Sequence, residues 1–536
     1  MCGIAGFMHA DRDRPVDPET LVAMAAIQYH RGPDGFGWRS TDGVGFSHAR
    51  LSIIDLDESR GRQPFASADG RLMLTKNGEL YDYQRIRAEL TATGARFQTK
   101  SDSEIILHLY PRHGLDGTLP HLRGEFAFAL FDKDEDRLML VRDRFGIKPL
   151  YWTEVNGMLV FGSELKVLFA HPDVPRKLAP AGVYHQLMQT MVPGTTAFEG
   201  VRQVRPGYVL DVRRRDGRLQ IEERKYWDMT FPHQSEHPAD YSAQDYIEGV
   251  RTQLLEAVQH RLTADVPVGS YLSGGIDSCA ILGLAAAARQ EPVKAFTIGF
   301  DNEDYDESPI ATEMAQATGA DQDILRLNAD HLYDHFEETL WHTERTIYNT
   351  LGVAKFLMSR HVRDVNYKVV LTGEGSDELF GGYPAFRRDM FLHGLDHLQP
   401  QERREWEALL AESNKLFKGA MLAENAVENA ALTDRIGFTP SCLQPWLAAA
   451  RHVPALLNAD LARELADYDP GAAIAEQFDR NMLQDRHPLD KAQYVWIKTM
   501  LEGQILTWGG DRVDMANSME ARPPFLDHHL AEYAAR

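Results

Sequence analysis

Three clusters of residues in this sequence could do chemistry. The first is Cys2, in Met1-Cys2-Gly3-Ile4-Ala5-Gly6-Phe7. If Met1 is removed, the thiol sits beside its own α-amine, whose unperturbed pKa of about 7.7–8.0 suits a general base near neutral pH. One residue then supplies both nucleophile and base, as in N-terminal threonine hydrolases. On position alone the simpler reading is a small buried cysteine in an edge strand. The second cluster is Tyr271–Ser278, reading YLSGGIDS. Two glycines let the backbone approach an anion, two serines add donors, and Asp277 could hold Mg²⁺ against the same phosphates. It lacks the G-K-[ST] ending of a Walker A loop. The third is Gly373–Tyr383, GEGSDELFGGY, with the acids Glu374, Asp377 and Glu378. It reads either as a solvated acidic turn or as Mg²⁺ ligation with a general base.

These clusters need elements to position them. From Tyr246 the pattern alternates: helix Tyr246–His260, strand Val266–Leu272, helix Cys279–Arg289, strand Val293–Ile298, helix Ser308–Thr318, strand Gln322–Leu327, helix Val353–Val362, strand Lys368–Thr372. That alternation predicts a doubly wound parallel sheet, with ligands at the carboxyl ends of the strands. Two glycine loops at two strand ends would face one crevice, a coincidence that favours function. In the N-terminal third, Arg31–Asp34 reads as a turn and His48–Asp55 as a strand-like run carrying Arg50. Asn77-Gly78-Glu79 reads as a polar turn after strand Leu72–Thr75, and Ser101–Glu104 as a cap on helix Ile105–Tyr110. Each is ordinary alone. Together they supply what binding an α-amino acid amide requires: a guanidinium, carboxylates, and an amide with a backbone N–H for an oxyanion. Between residues 201 and 238 the periodicity weakens, with a hairpin tip at Arg213–Gly217 and breaker-rich residues 232–238, so the domain join falls there.

At 536 residues the chain is too long for one core. Its 43% hydrophobic and 25% charged content are those of a soluble globular protein. A net charge of −22 disfavours nucleic acid and anionic membranes as partners. Three cysteines, Cys2, Cys279 and Cys442, make no disulfide framework and suit a reducing compartment. Asp11–Arg14 interrupts the first apolar stretch, so no signal segment is read, and no apolar run is long enough to span a membrane. The expected location is cytoplasmic.

Read in order, MCGIAGF, RGPDG, RLSIID, NGE, SDSE, GEFAFALFD and RDRFGIKPLY resemble the glutaminase domain of class II glutamine amidotransferases, N-terminal-nucleophile hydrolases with an αββα sandwich. YLSGGIDS, AFTIGF, LTGEGSDELFGGY and MANSMEARPPFLDHHL resemble the ATP-pyrophosphatase synthetases, and the full set resembles glutamine-dependent asparagine synthetases. The resemblance implies a glutaminase domain at 2–205, a linker at 206–240 and a Rossmann-like ATP-pyrophosphatase domain with added helices at 241–536. It implies Cys2 as nucleophile, Asn77 and Gly78 as oxyanion hole, and Arg50, Asp102, Glu79 and the main chain near Ile54 around glutamine. It places Arg31 near that site without a catalytic role. Ser273, Gly274, Gly275, Asp277 and Ser278 would hold pyrophosphate, and Leu272, Ile298, Thr372 and Gly373 the adenosine. Asp277 and Asp377 would ligate Mg²⁺, and Glu374 would handle the proton of incoming ammonia. A basic residue before MANSMEAR, here Arg512, would steady developing negative charge.

The resemblance implies ATP and Mg²⁺ as requirements, with glutamine and an acceptor acid, aspartate by expectation, as further substrates. Relatives are often homodimers. Two departures stand out. The sequence stops at Arg536, ten residues after Leu526, where family members usually continue, which implies a trimmed chain or a short-tailed member. The helical stretch Phe386–Arg486 matches only loosely, and such segments shape the acceptor pocket. The nearest rival reading is an amidotransferase for another carboxylate, a peptide or secondary metabolite. A β-lactam-forming relative is disfavoured by the intact Cys2. A non-catalytic regulatory or storage protein is disfavoured by the intact Cys2, Asn77-Gly78, Asp277, Glu374 and Asp377.

Overall fold

Alternation along the N-terminal strands builds two sheets with two buried faces each. In β1 (Cys2–His9), Ile4 and Met8 face one core while Ala5 and Phe7 face another. The computed structural model describes residues 2–57, 59–236, 241–289, 291–394, 399–413, 422–423 and 425–536. The strands that follow are β2 (Gly35–Thr41), β3 (Val44–Arg50), β4 (Phe65–Ala66), β5 (Leu72–Tyr81), β6 (Arg123–Asp132), β7 (Arg137–Arg142), β8 (Tyr151–Val155), β9 (Met158–Gly162), β10 (Val201–Gln203), β11 (Tyr208–Arg215) and β12 (Arg218–Lys225). They form two six-stranded sheets, ordered β10-β8-β9-β1-β3-β2 and β12-β11-β7-β6-β5-β4. Ala127, Ala129 and Phe131 of β6 pack between the sheets. Phe126, Phe128 and Leu130 pack outward against α2 (Tyr83–Ala92) and α3 (Ile105–Thr118). On the far side α1 (Pro18–Ala26) places Leu21 and Met24 against Phe7 and Val160. This is an αββα sandwich.

The second domain is a five-stranded sheet of β13 (Val268–Tyr271), β14 (Lys294–Phe300), β15 (Asp321–Leu327), β16 (Val369–Leu371) and β17 (Glu520–Arg522), in the order β15-β14-β13-β16-β17. Every pairing is parallel. One face carries α4 (Ala243–Arg261), α5 (Ile276–Ala288) and α6 (Ser308–Thr318), and the other carries α7 (Leu351–Asp364). Val369 and Leu371 point to the first face and Val370 to the second, so the sheet is doubly wound.

Four sequence readings change. Cys2 is not on an edge, because β1 lies between β9 and β3. Asn77-Gly78-Glu79 is not a turn: β5 continues through it, pairing Asn77 with Ala127, Gly78 with Phe126 and Glu79 with Glu125. Polar residues there are buried for a site rather than exposed in a loop. The stretch 206–240 is not all linker. Hairpin β11–β12 turns at Asp216-Gly217 with both φ values positive, and β11 pairs with β7 to extend the second sheet of the sandwich. Residues 237–240 of that stretch lie outside the described ones. The segment MEAR supplies a fifth strand, β17, which the alternation does not show.

The stretch Phe386–Arg486 is a set of short helices, including Pro384–Gly394, Ala430–Ile436 and Gln444–Ala450. Residues 395–398, 414–421 and 424 of it lie outside the described ones. Its core joins Leu432, Leu443 and Trp496 to Phe145, Tyr184 and Met188 of the sandwich domain. Among the described residues no helix is long and apolar enough to cross a membrane.

Candidate active sites

Cys2 is buried and pairs with Arg50 across β1 and β3. The Cys2 backbone N–H donates to Asn77 Oδ1 at 2.9 Å. Among the described residues Asn77 Nδ2 is left buried with no hydrogen-bond partner. An unpaired buried donor costs about 1–3 kcal/mol, so it is placed for an acceptor. Next to it Gly78 has φ +110°, and a Cβ there would lie 1.9 Å from the Glu125 carbonyl oxygen. Only glycine lets β5 stay paired through this twist. Arg50 donates to the Asp57 carbonyl at 3.1 Å and to that of Asp55. The loop after β3 carries Ile54, and its Leu51 and Ile53 enter the core of the second domain.

Asp102 accepts from Leu80 N at 2.7 Å and from Lys76 Nζ at 2.6 Å. Lys76 is a fully buried lysine that sequence reasoning does not reach. The signal was a lysine inside the apolar run of β5. Burial, with Asp102 and Glu520 nearby, pushes the Glu79 carboxyl up, against the pull of Arg522 at 3.8 Å. Arg31 is completely buried. Its Nε donates to the Cys2 carbonyl at 3.2 Å, and its Nη1 ion-pairs with Glu164 at 3.0 Å and Asp511 at 2.8 Å. It therefore ties the Cys2 strand to the second domain.

In the second domain the glycine loop leaves β13 and the acidic loop leaves β16, which are adjacent strands. Strand order reverses between them, the switch point where open α/β sheets bind ligands. Gly274 has φ +87°, and a Cβ would stand 3.1 Å from the Glu307 carbonyl. Ser278 Oγ accepts from Ser273 N at 3.1 Å and donates to the Gly275 carbonyl at 3.1 Å, holding the turn that opens α5. A Cβ on Gly373 would lie 3.1 Å from Ser278 N, so the two loops touch. Ser376 Oγ donates to Asp277 Oδ1 at 2.7 Å. Buried Leu272 donates its N–H to the Phe296 carbonyl at 2.8 Å, and Thr372 N donates to that of Arg522 at 3.0 Å. Ile298 is half-buried on β14.

Burial and the charge of Asp277 push the Asp377 carboxyl up. A nearby carboxylate disfavours the charged form of its neighbour, and a cation beside the pair would relieve that repulsion. Among the described residues no group of three or more His, Cys, Asp or Glu side chains stands ready for a metal. The pair fits Mg²⁺ only in the mode where substrate phosphates and water complete the shell.

The structure does not bring Arg512 to Glu374. Arg512 is buried at the domain junction, 3.2 Å from Glu164 and 3.3 Å from Glu344, with its guanidinium over the Tyr151 ring. Those two carboxylates and the ring compensate its charge, which is why it turns toward the interface. Glu374 instead pairs with Lys355 of α7. Burial would raise its carboxyl, but the Lys355 ammonium outweighs this and holds it below the usual range. Asp514 stands 3.7 Å from Lys355, and burial pushes its carboxyl up to about 7. Neither Lys355 nor Asp514 stands out in the sequence, since each occupies an ordinary helical position.

The fold defines a class: an N-terminal-nucleophile amidotransferase sandwich joined to a Rossmann-like ATP-pyrophosphatase domain. Comparison with known proteins narrows it. A family model described as asparagine synthase matches residues 249–536, and one described as glutamine amidotransferase domain matches residues 1–227. Amidase chry2 of Gibberella zeae is 37% identical over 570 residues, covering 99% of this chain and 82% of that protein. Amidase chyE of Penicillium rubens is 35% identical over 569 residues, with 99% and 82% covered. Glutamine-hydrolyzing asparagine synthetase 1 of Bacillus subtilis is 30% identical over 543 residues, with 100% and 81% covered. The chain belongs to the asparagine synthase family and is a glutamine-dependent carbon–nitrogen ligase that uses ATP.

Proposed function

We propose that this chain releases ammonia from glutamine at Cys2 and uses it to amidate a carboxylic acid activated as an acyl-adenylate at the switch point of the second domain. The observation that carries the reading is the unpartnered Asn77 amide beside Cys2, an oxyanion donor with nothing else to do. The Cys2 thiolate attacks the glutamine side-chain amide, forms a thioester and expels ammonia, and water then frees glutamate. With Met1 removed, the Cys2 nitrogen becomes the amine base. Asn77 Nδ2 and the Gly78 N–H hold the oxyanion. Arg50, Glu79, Asp102 and the main chain of Ile54 hold the carboxylate and ammonium of glutamine.

At the second centre Ser273, Gly274, Gly275, Asp277 and Ser278 grip the pyrophosphate of ATP. Leu272, Ile298, Thr372 and Gly373 contact its adenosine. Asp277 and Asp377 would hold Mg²⁺, which when bound neutralises phosphate charge. The acceptor carboxylate attacks the α-phosphate, pyrophosphate leaves, and ammonia attacks the acyl carbon while Glu374 takes a proton. Members of the family that form homodimers suggest the same assembly here, to be checked by light scattering.

Aspartate, giving asparagine, is the acceptor supported by the asparagine synthase match. A second reading, another carboxylic acid, is favoured by the higher identity to the two amidases, 37% and 35% against 30%. A cavity of about 800 Å³ lies elsewhere, between sandwich and helices, but one of about 600 Å³ opens at the carboxyl ends of β14 and β15 and reaches Ala354, next to Lys355. Phe300, Tyr305, Leu327 and Leu351 line it, with Asp301 as its charged side chain. The α-carboxylate of aspartate would meet no cation among the described residues of that lining. The test is ATP-dependent pyrophosphate release with glutamine or ammonium across a panel of acids. Release with aspartate alone establishes an asparagine synthetase. Release with another acid and none with aspartate removes that assignment.

A further inference from the structure

With Arg512 held at the domain junction, the acidic loop still has a cation, and it comes from a different element. Lys355 on α7 donates to Glu374 Oε1 and to the Gly509 carbonyl. Its ammonium stands 3.7 Å from Asp514 Oδ2 and 5.6 Å from the centre of the Tyr271 ring. The Tyr271 hydroxyl donates to Asp514 Oδ1 at 3.0 Å. Lys355 therefore touches the acidic loop after β16, the last residue of β13, and the segment that leads into Met515–Arg522.

The plain alternative is an ion pair that merely neutralises buried acids. Such a pair contributes little net stability compared with an apolar substitute. A further observation speaks for a role in the reaction. Among the described residues Glu374 Oε2 is buried with no hydrogen bond of ordinary length, the Thr372 side chain standing near enough only to help lower its carboxyl, so Lys355 satisfies one oxygen of the carboxylate.

We propose that Lys355 is the positioning cation of the acyl-transfer centre, filling from α7 the part that resemblance assigned to Arg512. It holds Glu374 ionised and oriented, with Oε2 free for the incoming nucleophile. Ammonia forms the C–N bond with its lone pair, Glu374 Oε2 takes one N–H proton, and the bond from the acyl carbon to the AMP oxygen breaks, AMP leaving with the electron pair. Lys355 stays protonated throughout. The inference rests on the acyl-adenylate reading above.

The test uses the purified full chain, ammonium as nitrogen source and the acid found in the panel. Rapid-quench measurement separates first-turnover pyrophosphate from amide. Lys355→Met should release its first equivalent of pyrophosphate within about threefold of the wild-type rate, while amide formation falls about 100-fold, the scale of a lost acid–base step. Glutamine hydrolysis in the other domain should be unchanged, which reports that the variant is folded. Lys355→Arg should recover at least about tenfold over Lys355→Met. Amide formation by Lys355→Met within about threefold of wild type would overturn the proposal, as would joint loss of pyrophosphate release and amide in a variant that still hydrolyses glutamine. If Lys355→Met does not fold, Lys355→Gln against Lys355→Arg decides, and equal amide rates would overturn a role for the charge. A wild-type chain that releases no pyrophosphate with any acid refutes the acyl-adenylate reading itself. A wild-type chain that does, beside an unimpaired Lys355→Met, refutes Lys355 alone.

Discussion

Asn77 shows how a single side chain can be committed on one atom and available on another. Its Oδ1 fixes the Cys2 nitrogen, and its Nδ2 is left to donate. Asn77→Ala should lower glutamine hydrolysis by about 100–1,000-fold, the effect of removing one oxyanion donor, and leave ammonium-dependent amidation intact. Cys2→Ala should abolish glutamine use and spare ammonium use. Glutaminase activity surviving in Cys2→Ala would refute the nucleophile assignment. Asp389 offers a residue-scale test of stability. It is fully buried, both its oxygens accept from Ser441 N, at 3.1 and 3.0 Å, and burial pushes it up to about 7. Its folded value exceeds the unfolded value of about 3.9, so the folded state binds the extra proton between those limits. Stability should fall as pH rises from about 4 to 7 and level off above. Asp389→Asn should narrow the Tm difference between pH 5 and pH 8, by about 1–2 °C for each kcal/mol removed, as read by calorimetry.

At the scale of elements, glycines decide where loops and strands can approach one another. Gly274 needs a positive φ and lies against the N-terminus of α6. Gly274→Val should cost about 1–3 kcal/mol of local strain and impair pyrophosphate release far more than glutamine hydrolysis, with the two assays run on one preparation. The βα alternation from Tyr246 onward was readable because short apolar runs and amphipathic runs take turns. Strand β17 was not, because Glu520–Arg522 is three residues with charges at both ends. Those charges can be buried because Arg522 pairs with Glu520 and Glu79 and donates to the Arg261 and Thr263 carbonyls. Reading Asn77–Glu79 as a turn failed for a related reason: polar residues in a strand look exposed until a second sheet and a site cover them.

Across the whole molecule, the two domains are locked by buried charge. Asp527 accepts from Arg123 of β6 at 2.9 and 3.0 Å and from Arg261 of α4 at 3.0 Å, and Arg261 also reaches Glu125 at 2.9 Å. The two guanidiniums hold the Asp527 carboxyl far below its ordinary range, overcoming burial, so its contribution is present above about pH 4 and lost on acidification. Asp527→Ala would leave two buried cations short of a partner. It should cost about 3–5 kcal/mol, seen as a lower Tm and, if the domains separate, as glutamine hydrolysis no longer matched to amide formed. Arg31, joining Cys2 to Glu164 and Asp511, belongs to the same junction. Sequence placed Arg31 near the first site but held no sign that its partners lie in both domains.

By itself the sequence determined the doubly wound alternation and the positions of the two glycine loops, and its motifs, through resemblance to a known family, implied the αββα layers and the two kinds of chemistry. All of these are local: a motif's atoms and a strand's alternation lie within a few residues of one another. Only the tertiary structure decided which cation faces Glu374. Arg512 and Lys355 are both basic residues on helices near the loop, and their roles depend on which carboxylates each meets after folding. Glu164 and Glu344 draw Arg512 to the junction, while Glu374 and Asp514 receive Lys355. Burying a charge requires an opposite charge at contact distance, and distances between segments far apart in the chain are set by packing, which sequence spacing does not encode.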